Sequence, residues 1–401
     1  MTKLEKLIKE HCPNEVEYKT IKEILVRTKG TKITAEQMQQ LNKENAPIKI
    51  FAGGKTVAYF NYEDIPENDV QKTPSIIVKS RGLIEFEYYD QPFSHKNEFW
   101  AYHSNSEDIN IKYVYYCLKK DEAYFRSIAT SMGSLPQISI PVTDNYKIPI
   151  PSLIIQQEIV RILDILTKYQ VELNAEFEAR KKQYEYYRNE LLTFNTNSDI
   201  MKETANSQQP TANSQQPTAN SQQRVRFLTL GEIAVNMDSK RKPVTKSLRK
   251  SGKYPYYGAS GIVDYVSGFI FDGDYLLISE DGANLVARNT PIAFSASGKI
   301  WVNNHAHVLQ FDTYATRKYV EFYLNSIDLS KYISTSAQPK LNQENLNKIP
   351  IPIPSYEEQE RIVSILDRFE TLTNDLTNGL PAEIAARKKQ YEYYRDKLLT
   401  F

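Results

Sequence analysis

The sequence predicts an α+β protein: two mixed α/β domains, related by a pseudo-twofold axis, separated by an antiparallel pair of long helices. Three observations predict it. The decapeptide ARKKQYEYYR occurs at Ala179–Arg188 and again at Ala386–Arg395, and each copy runs on to LLTF, at Leu191–Phe194 and Leu398–Phe401. A second matched segment precedes each copy, IPIPSLIIQQEIVRILD at Ile148–Asp164 and IPIPSYEEQERIVSILD at Ile351–Asp367. Between the halves stands TANSQQP-TANSQQP-TANSQQ, Thr204–Gln223. Two repeats are too few for a solenoid, so a tandem pair of half-proteins is the better reading.

The elements follow in order. EYKTIKEI (Glu17–Ile24) is echoed by RFLTLGEI (Arg226–Ile233) at the start of each variable half. In the first half SIIVKSRGLIEFEYY reads as strands and Ile111–Ile128 as helix; in the second YLLISEDG and KIWVNNHAHVLQF read as strands and RKYVEFYLNSI as helix. Ala52-Gly53-Gly54 after Phe51 lines up with Gly258-Ala259-Ser260 after Tyr257. Phe93–Asn97 before Trp100 is aligned with Phe294–Lys299 before Trp301. Each Ile-Pro run must be extended. Ser355 with Glu358 forms an expected capping box, and Ile155 in the first copy leaves only the Ser152 cap. Apolar residues then recur at helical spacing: Ile159, Ile162, Leu163 and Leu166, and Ile362, Ile365, Leu366 and Phe369. Around the decapeptide the steps alternate three and four. Phe177, Arg180, Tyr184, Tyr187, Leu191 and Phe194 form one seam; Ile384, Arg387, Tyr391, Tyr394, Leu398 and Phe401 form the other. Asn378-Gly379-Leu380-Pro381 marks a stop and restart in the second copy. The TANSQQP segment has no large apolar residue and is expected to be a soft tether, leaving the helices to set the distance between domains. The expected domains are therefore 1–146, 147–196, 197–223, 224–347 and 348–401.

Composition narrows the function. A chain of 401 residues accommodates two domains, and no apolar run reaches the length of a membrane span. The polar N-terminus and the presence of only Cys12 and Cys117 point to the cytoplasm. A net charge of +1 leaves room for a basic face balanced elsewhere, and 28 tyrosines favour partly wet interfaces. Catalytic readings are weak. Gly53–Thr56 ends like a phosphate-binding loop, but Lys49 stands where that loop needs glycine. His305 and His307 share a strand face with no partner cysteine or acid expected nearby, so a packed or DNA-facing pair is expected rather than a metal site. Glu280-Asp281 is a pair of acids at a turn. A non-catalytic chain is expected.

Basic residues cluster in both halves. Lys240, Arg241, Lys242, Lys246 and Lys253 run into Tyr257; Lys29, Lys32, Lys55, Lys79, Arg81 and Lys96 mark the first half. Both sets lie beside glycine-containing turns where backbone approaches phosphate closely, so they are expected to bind DNA. Asn97, Ser260, Asn303, Asn304 and His305 complete the expected DNA-facing set. The doubled IPIPS…ILD and ARKKQYEYYR motifs, with YPYYGASGIVDYV and FDGDYLLISEDGAN, resemble the specificity subunits of type I restriction–modification systems. The resemblance implies two target-recognition domains that each read half of a split asymmetric double-stranded DNA site, held apart by conserved helices. It implies two modification (methyltransferase) subunits carrying S-adenosylmethionine, and restriction subunits using ATP and Mg, with no cofactor in this chain. Tyr184, Tyr187, Arg188, Tyr391, Tyr394 and Arg395 are the expected partner-binding residues. A lone DNA-binding regulator and a helical scaffold without DNA remain open; co-purification and salt-dependent binding of random duplex separate them.

Overall fold

The computed structural model describes residues 3–11, 15–132, 135–194, 225–281, 284–288, 290–334, 339–375 and 377–401, so the TANSQQP segment lies outside the described residues. The chain forms two compact units: Met1–Asn174 with Glu383–Phe401, and Ala175–Ala382.

The first unit starts with β1 (Tyr18–Thr20), α1 (Ile21–Ile24) and β2 (Val26–Arg27). It continues through β3 (Ile48–Phe51), β4 (Val57–Phe60), β5 (Ser75–Lys79), β6 (Glu85–Tyr89), β7 (Phe93–His95) and β8 (Trp100–His103). Helix α2 (Ile111–Lys120), strands β9 (Thr130–Met132), β10 (Leu135–Gln137) and β11 (Lys147–Pro149), and α3 (Leu153–Leu192) follow. The second unit repeats most of this order. It has β12 (Arg226–Thr229), α4 (Leu230–Ile233), β13 (Val235–Asn236), β14 (Ser251–Gly258), β15 (Gly261–Val266), β16 (Phe271–Ser279), β17 (Ala293–Val302), β18 (Ala306–Gln310) and α5 (Tyr314–Ser326). Strand β19 (Pro350–Ile353) and helices α6 (Tyr356–Asn374) and α7 (Leu380–Leu398) close the chain.

The faint echo between the halves is a structural unit. β1 pairs antiparallel with β11, and β12 with β19, in the same register: Tyr18 faces Pro149 and Phe227 faces Pro352. A capping box ends each first strand, Thr20 with Glu23 and Thr229 with Glu232. The prolines cost little here because each ladder has only two strands. The tyrosines Tyr113 and Tyr319 are fully buried and donate their hydroxyls to Pro149 O (2.9 Å) and Pro352 O (2.7 Å).

The sheets correspond as well. Beyond the two-stranded ladders, the first unit has orders β2-β8-β5-β6 and β4-β3-β7, and the second joins the corresponding strands in one order, β13-β18-β16-β17-β14-β15. The long β17 takes the place of both β6 and β7, which Asp90-Gln91-Pro92 separates in the first unit. This corrects the alignment of Trp100 with Trp301. Trp100 lies on β8, whose counterpart is β18, whereas Trp301 lies on β17 and pairs with Tyr256 of β14. The helical stretch 111–128 is divided at Asp121, where α2 ends and a second short helix, Glu122–Ser127, begins.

The repeated helices behave differently at their starts from the capping expectation. Ser355 accepts from Glu358 N, but Glu358 does not reach back; its carboxylate takes both Nε and Nη2 of Arg361, each at 2.7 Å. In the first copy the fork moves one turn along, to Glu158 and Arg161, and Ser152 Oγ is buried without a partner among the described residues. Both starts share a glutamine clasp. Gln156 Nε2 donates to Pro151 O at 2.8 Å and Gln359 Nε2 to Pro354 O at 2.9 Å, and both side chains are buried. Helix α3 then runs unbroken for 40 residues, while the second copy stops at Asp375 and restarts at Leu380.

Each decapeptide docks on the unit built mainly from the other half. In the first unit Ile155, Ile159 and Leu163 of α3 are fully buried, and Tyr391, Leu398, Leu399 and Phe401 pack on the same core. The two helices are antiparallel there, with Gln170 Nε2 donating to Arg387 O at 3.4 Å and Thr167 facing Tyr391. In the second unit Ile362 and Leu366 are buried beside Tyr184, Leu191, Leu192 and Phe194. The seam arginines are satisfied identically along their own helices: Arg180 by Gln183 and Glu176, Arg387 by Gln390 and Glu383.

Replacing Tyr113 or Tyr319 by Phe keeps the ring but removes the hydroxyl from a buried carbonyl. Each change is expected to destabilise its own unit by about 1–2 kcal/mol in urea denaturation, with little change in the other.

Candidate nucleic-acid interface

Four segments meet at one end of the first unit's sheets. β3 and β7 are parallel, so the turn after Phe51 and the loop after His95 leave side by side, and Lys96 N donates to Phe51 O at 2.9 Å. β5 runs antiparallel to β8, which brings Ser80–Gly82 beside Glu98. The segment after β2 crosses this end, with Thr31 N donating to His95 O at 2.9 Å. Gly30 permits that crossing, since a Cβ there would lie 2.3 Å from His95 O. The turn after β3 depends on Gly54 at φ +69°. Lys29, Lys32, Lys55, Arg81 and Asn97 are exposed on these segments; Lys96 is half-buried and pairs with Glu98 at 3.4 Å.

His95 pins the crossing. Its Nδ1 faces Lys96 O at 3.0 Å and so donates, leaving Nε2 to accept from Thr28 Oγ1 at 2.8 Å. Thr28 Oγ1 in turn accepts from Ala101 N. Burial pushes the imidazole pKa down, against the Lys96 carbonyl that favours its charged form, which suits a neutral, fully engaged ring. Sequence reasoning missed His95, because nothing in the spacing marks a histidine as a clasp.

The second unit builds the same end with charge. Met237 N donates to Val308 O, Lys242 N to Val302 O and Asn303 N to Tyr257 O, so the basic segment, the β14–β15 turn and the loop after β17 converge. Arg241 points inward: Nη1 lies 2.5 Å from Glu280 Oε2 and 2.9 Å from Ala306 O, and Nη2 lies 3.3 Å from Asp238. Lys340 reaches Glu280 at 3.1 Å, and His307 is fully buried between Asp238 (2.5 Å) and Leu341 O (2.7 Å). Burial opposes ionisation of Asp238, but His307, Val308 N–H and Arg241 outweigh it and hold the carboxyl below its ordinary value. Glu280 is likewise desolvated, and Arg241 with Lys340 holds it low. The expectation that His305 and His307 have no acid nearby is therefore corrected: the fold supplies Asp281 to one and Asp238 to the other.

Asp238, Glu280 and His307 place ligand atoms within 4.8 Å of one another, the spacing of a metal group. Arg241 and Lys340 already supply the cationic charge between the carboxylates, and both imidazole nitrogens are engaged. The arrangement serves as an anchor. With Arg241 turned inward, Lys240 and Lys242 stay exposed on either side, joined at this end by Ser260, Asn304 and His305.

Other expected DNA residues lie elsewhere or inward. Lys79 is held by Glu87 at 2.8 Å and Glu85 at 3.4 Å. Asn303 is 6% exposed and caps His305 N. Tyr257 packs on Phe294, ring centroids 6.0 Å apart. Lys253, near the start of β14, is at the opposite end of that strand from Ser260, and Lys246 lies near Asp264 of β15.

The expected partner-binding residues divide by exposure. Tyr184 packs into its unit with Arg188 over its ring at 5.7 Å, and burial pushes its hydroxyl pKa up to about 12. Burial likewise raises that of Tyr391, which lies under Arg395. Tyr187 stacks on Phe369, yet it and Tyr394 are each 38% exposed, beside the more exposed Tyr186 and Tyr393.

A family model described as the type I restriction modification DNA specificity domain matches the chain twice, over residues 13–183 and 223–386. A protein of Haemophilus influenzae named as a type I restriction enzyme specificity subunit is 41% identical over 179 residues; the match spans 44% of this chain and 46% of that protein, under half its length. The EcoR124I/EcoR124II specificity subunit of Escherichia coli is 30% identical, with 96% of this chain and 95% of that protein covered. The crystal structure of a type I restriction-modification S subunit from M. genitalium has the same fold, with a TM-score of 0.65 at 17% identity over 97% of both chains. Among the described residues no helix is long and apolar enough to cross a membrane.

Arg241→Gln leaves two buried carboxylates without their guanidinium and is expected to cost about 3–5 kcal/mol at neutral pH. In the native chain the lowered carboxyl pKa values give stability that is present above about pH 4 and lost as pH falls. In the variant those values move back up towards the unfolded ones, Glu280 most because Arg241 is its foremost partner, so less of that stability develops as pH rises. Chemical denaturation across pH should show the gap widening from acid to neutral and closing below the carboxylate range.

Proposed function

We propose that this chain, which belongs to the type I restriction–modification DNA specificity family, reads a split asymmetric duplex target with one half-site on each unit, and does so without catalysis of its own. The observation that carries this reading is the repetition of one basic, glycine-turned sheet end in two units of matching topology. Lys29, Lys32 and Lys55 in one, and Lys240 and Lys242 in the other, are exposed and make no ion pair among the described residues. Cations without intramolecular partners beside close-approach backbone suit phosphate, and such contacts set register and affinity. The folded anchors, neutral in one unit and ionic in the other, would keep those segments in place while DNA arrives.

The repeated helices would serve the partners. Their outward faces present the same groups twice, Lys181, Lys182, Tyr186 and Tyr187 against Lys388, Lys389, Tyr393 and Tyr394, so two copies of one modification subunit would find equivalent docking surfaces. Those subunits would bring S-adenosylmethionine and methylate adenine; restriction subunits with ATP and Mg would translocate and cleave. This chain would supply only address and scaffold, in the cytoplasm.

Expressing the chain with its modification subunits and mapping methylated adenines tests the reading directly: two short motifs at a fixed gap are expected, and methylation without sequence preference would overturn it. A second test concerns affinity. Lys240→Gln with Lys242→Gln should weaken binding to any duplex and reduce the salt slope by up to about two, roughly 0.9 for each phosphate no longer neutralised. The selected motif should stay the same.

A further inference from the structure

The two units carry opposite chemistry at equivalent positions of this end, and we infer that these positions read base edges. The inference rests on the DNA-reading function proposed above and names where its specificity lies. Equivalence follows from backbone pairing alone. Arg81 forms an isolated antiparallel bridge with Gln137, and Asp281 forms the same bridge with Lys340. One residue earlier, Ile138 N donates to Ser80 O as Leu341 N donates to Glu280 O. On the neighbouring strand Ala101 and Val308 accept from the equivalent amides of Thr28 and Met237. Counting back three residues from these carbonyls places Glu98 opposite His305. The first unit thus offers Arg81 with Glu98 where the second offers Asp281 with His305.

A surface that met only phosphate would keep one sign at both places. Here the cation of one unit is replaced by an acid in the other, and an acid facing a polyanion is unfavourable unless it orients or accepts something specific. Asp281 does orient something. Its two oxygens lie 3.0 and 2.9 Å from His305 Nδ1, and the His305 side chain is 47% exposed with Nε2 uncommitted among the described residues. With the Nδ1 proton held by Asp281, Nε2 presents an acceptor. Arg81 is exposed, makes no ion pair among the described residues, and presents only donors. Base edges in the major groove differ in the same sense. Guanine offers two acceptors, O6 and N7, that match a guanidinium fork, while adenine and cytosine offer an exocyclic amino donor. The first half-site should therefore carry a guanine under Arg81, and the second an adenine or cytosine under His305.

The test selects duplexes from a random-sequence pool with the full chain and compares the two enriched half-sites. Arg81→Lys keeps the charge but loses the fork. It should reduce guanine preference at one position of one half-site roughly ten- to hundredfold, with an unchanged salt slope and an unchanged second half-site. His305→Ala should relax one position of the other half-site only. Both residues are exposed, and circular dichroism and urea midpoints matching the native chain verify folding. Enriched motifs identical to the native ones in both variants would overturn the assignment while leaving the DNA-reading function standing. A native chain that enriches no motif would overturn both.

Discussion

The core of each unit is closed by a helix that the chain supplies from its other repeat, and most of the architecture follows from that constraint. Leu398, Leu399 and Phe401 cover Ile155, Ile159 and Leu163 in one unit; Leu191, Leu192 and Phe194 pack on the core of Ile362 and Leu366 in the other. Since the two receiving surfaces are copies, the docking segments must be copies too. Tyr184 with Tyr391, and the arginines Arg180 and Arg387 with their identical glutamine and glutamate clasps, are kept alike by packing inside the chain. Only the outward residues, such as Tyr186 and Tyr393, need another explanation, and the shared partner proposed above would supply it.

The sheet end shows two solutions to one mechanical problem. A basic segment must cross over the ends of two parallel strands and stay there. The first unit pins it with a neutral Thr28–His95 clasp; the second uses Asp238, Arg241, Glu280, Lys340 and His307. A buried ionic network adds little net stability over an apolar or neutral one, but losing one member is costly. The second unit is therefore the more exacting of the two: its lysines face outward because its arginine is fully committed inward.

Much of this was legible in the sequence, for identifiable reasons. Repeats with offset segments revealed the doubled organisation, and Pro151 and Pro354 marked where strand gives way to helix. The short echo around Thr20 and Thr229 pointed to paired strand-and-turn units. Contacts distant in sequence were hidden. Arg241 looks like any other member of a basic run until Glu280, nearly forty residues on, is folded beside it. Gln156 and Gln359 looked like helix filler, yet they hold the proline carbonyls that the expected serine and glutamate caps do not. Trp100 and Trp301 misled the alignment because an aromatic residue after a polar turn is a weak marker of strand identity.

The order of supply has a consequence for synthesis on the ribosome. The second unit is continuous in sequence, from Ala175 to Ala382, whereas the first is completed only by the last residues of the chain. A nascent chain that has emerged through α3 already contains every strand of its first unit, but the helix that covers Ile155 and Leu163 has not been made. At ordinary elongation rates that interval is on the order of tens of seconds, long against the folding of a small domain. The N-terminal half must therefore wait, its apolar face open, while the C-terminal half is translated. Losing Glu383–Phe401 would harm the unit encoded first.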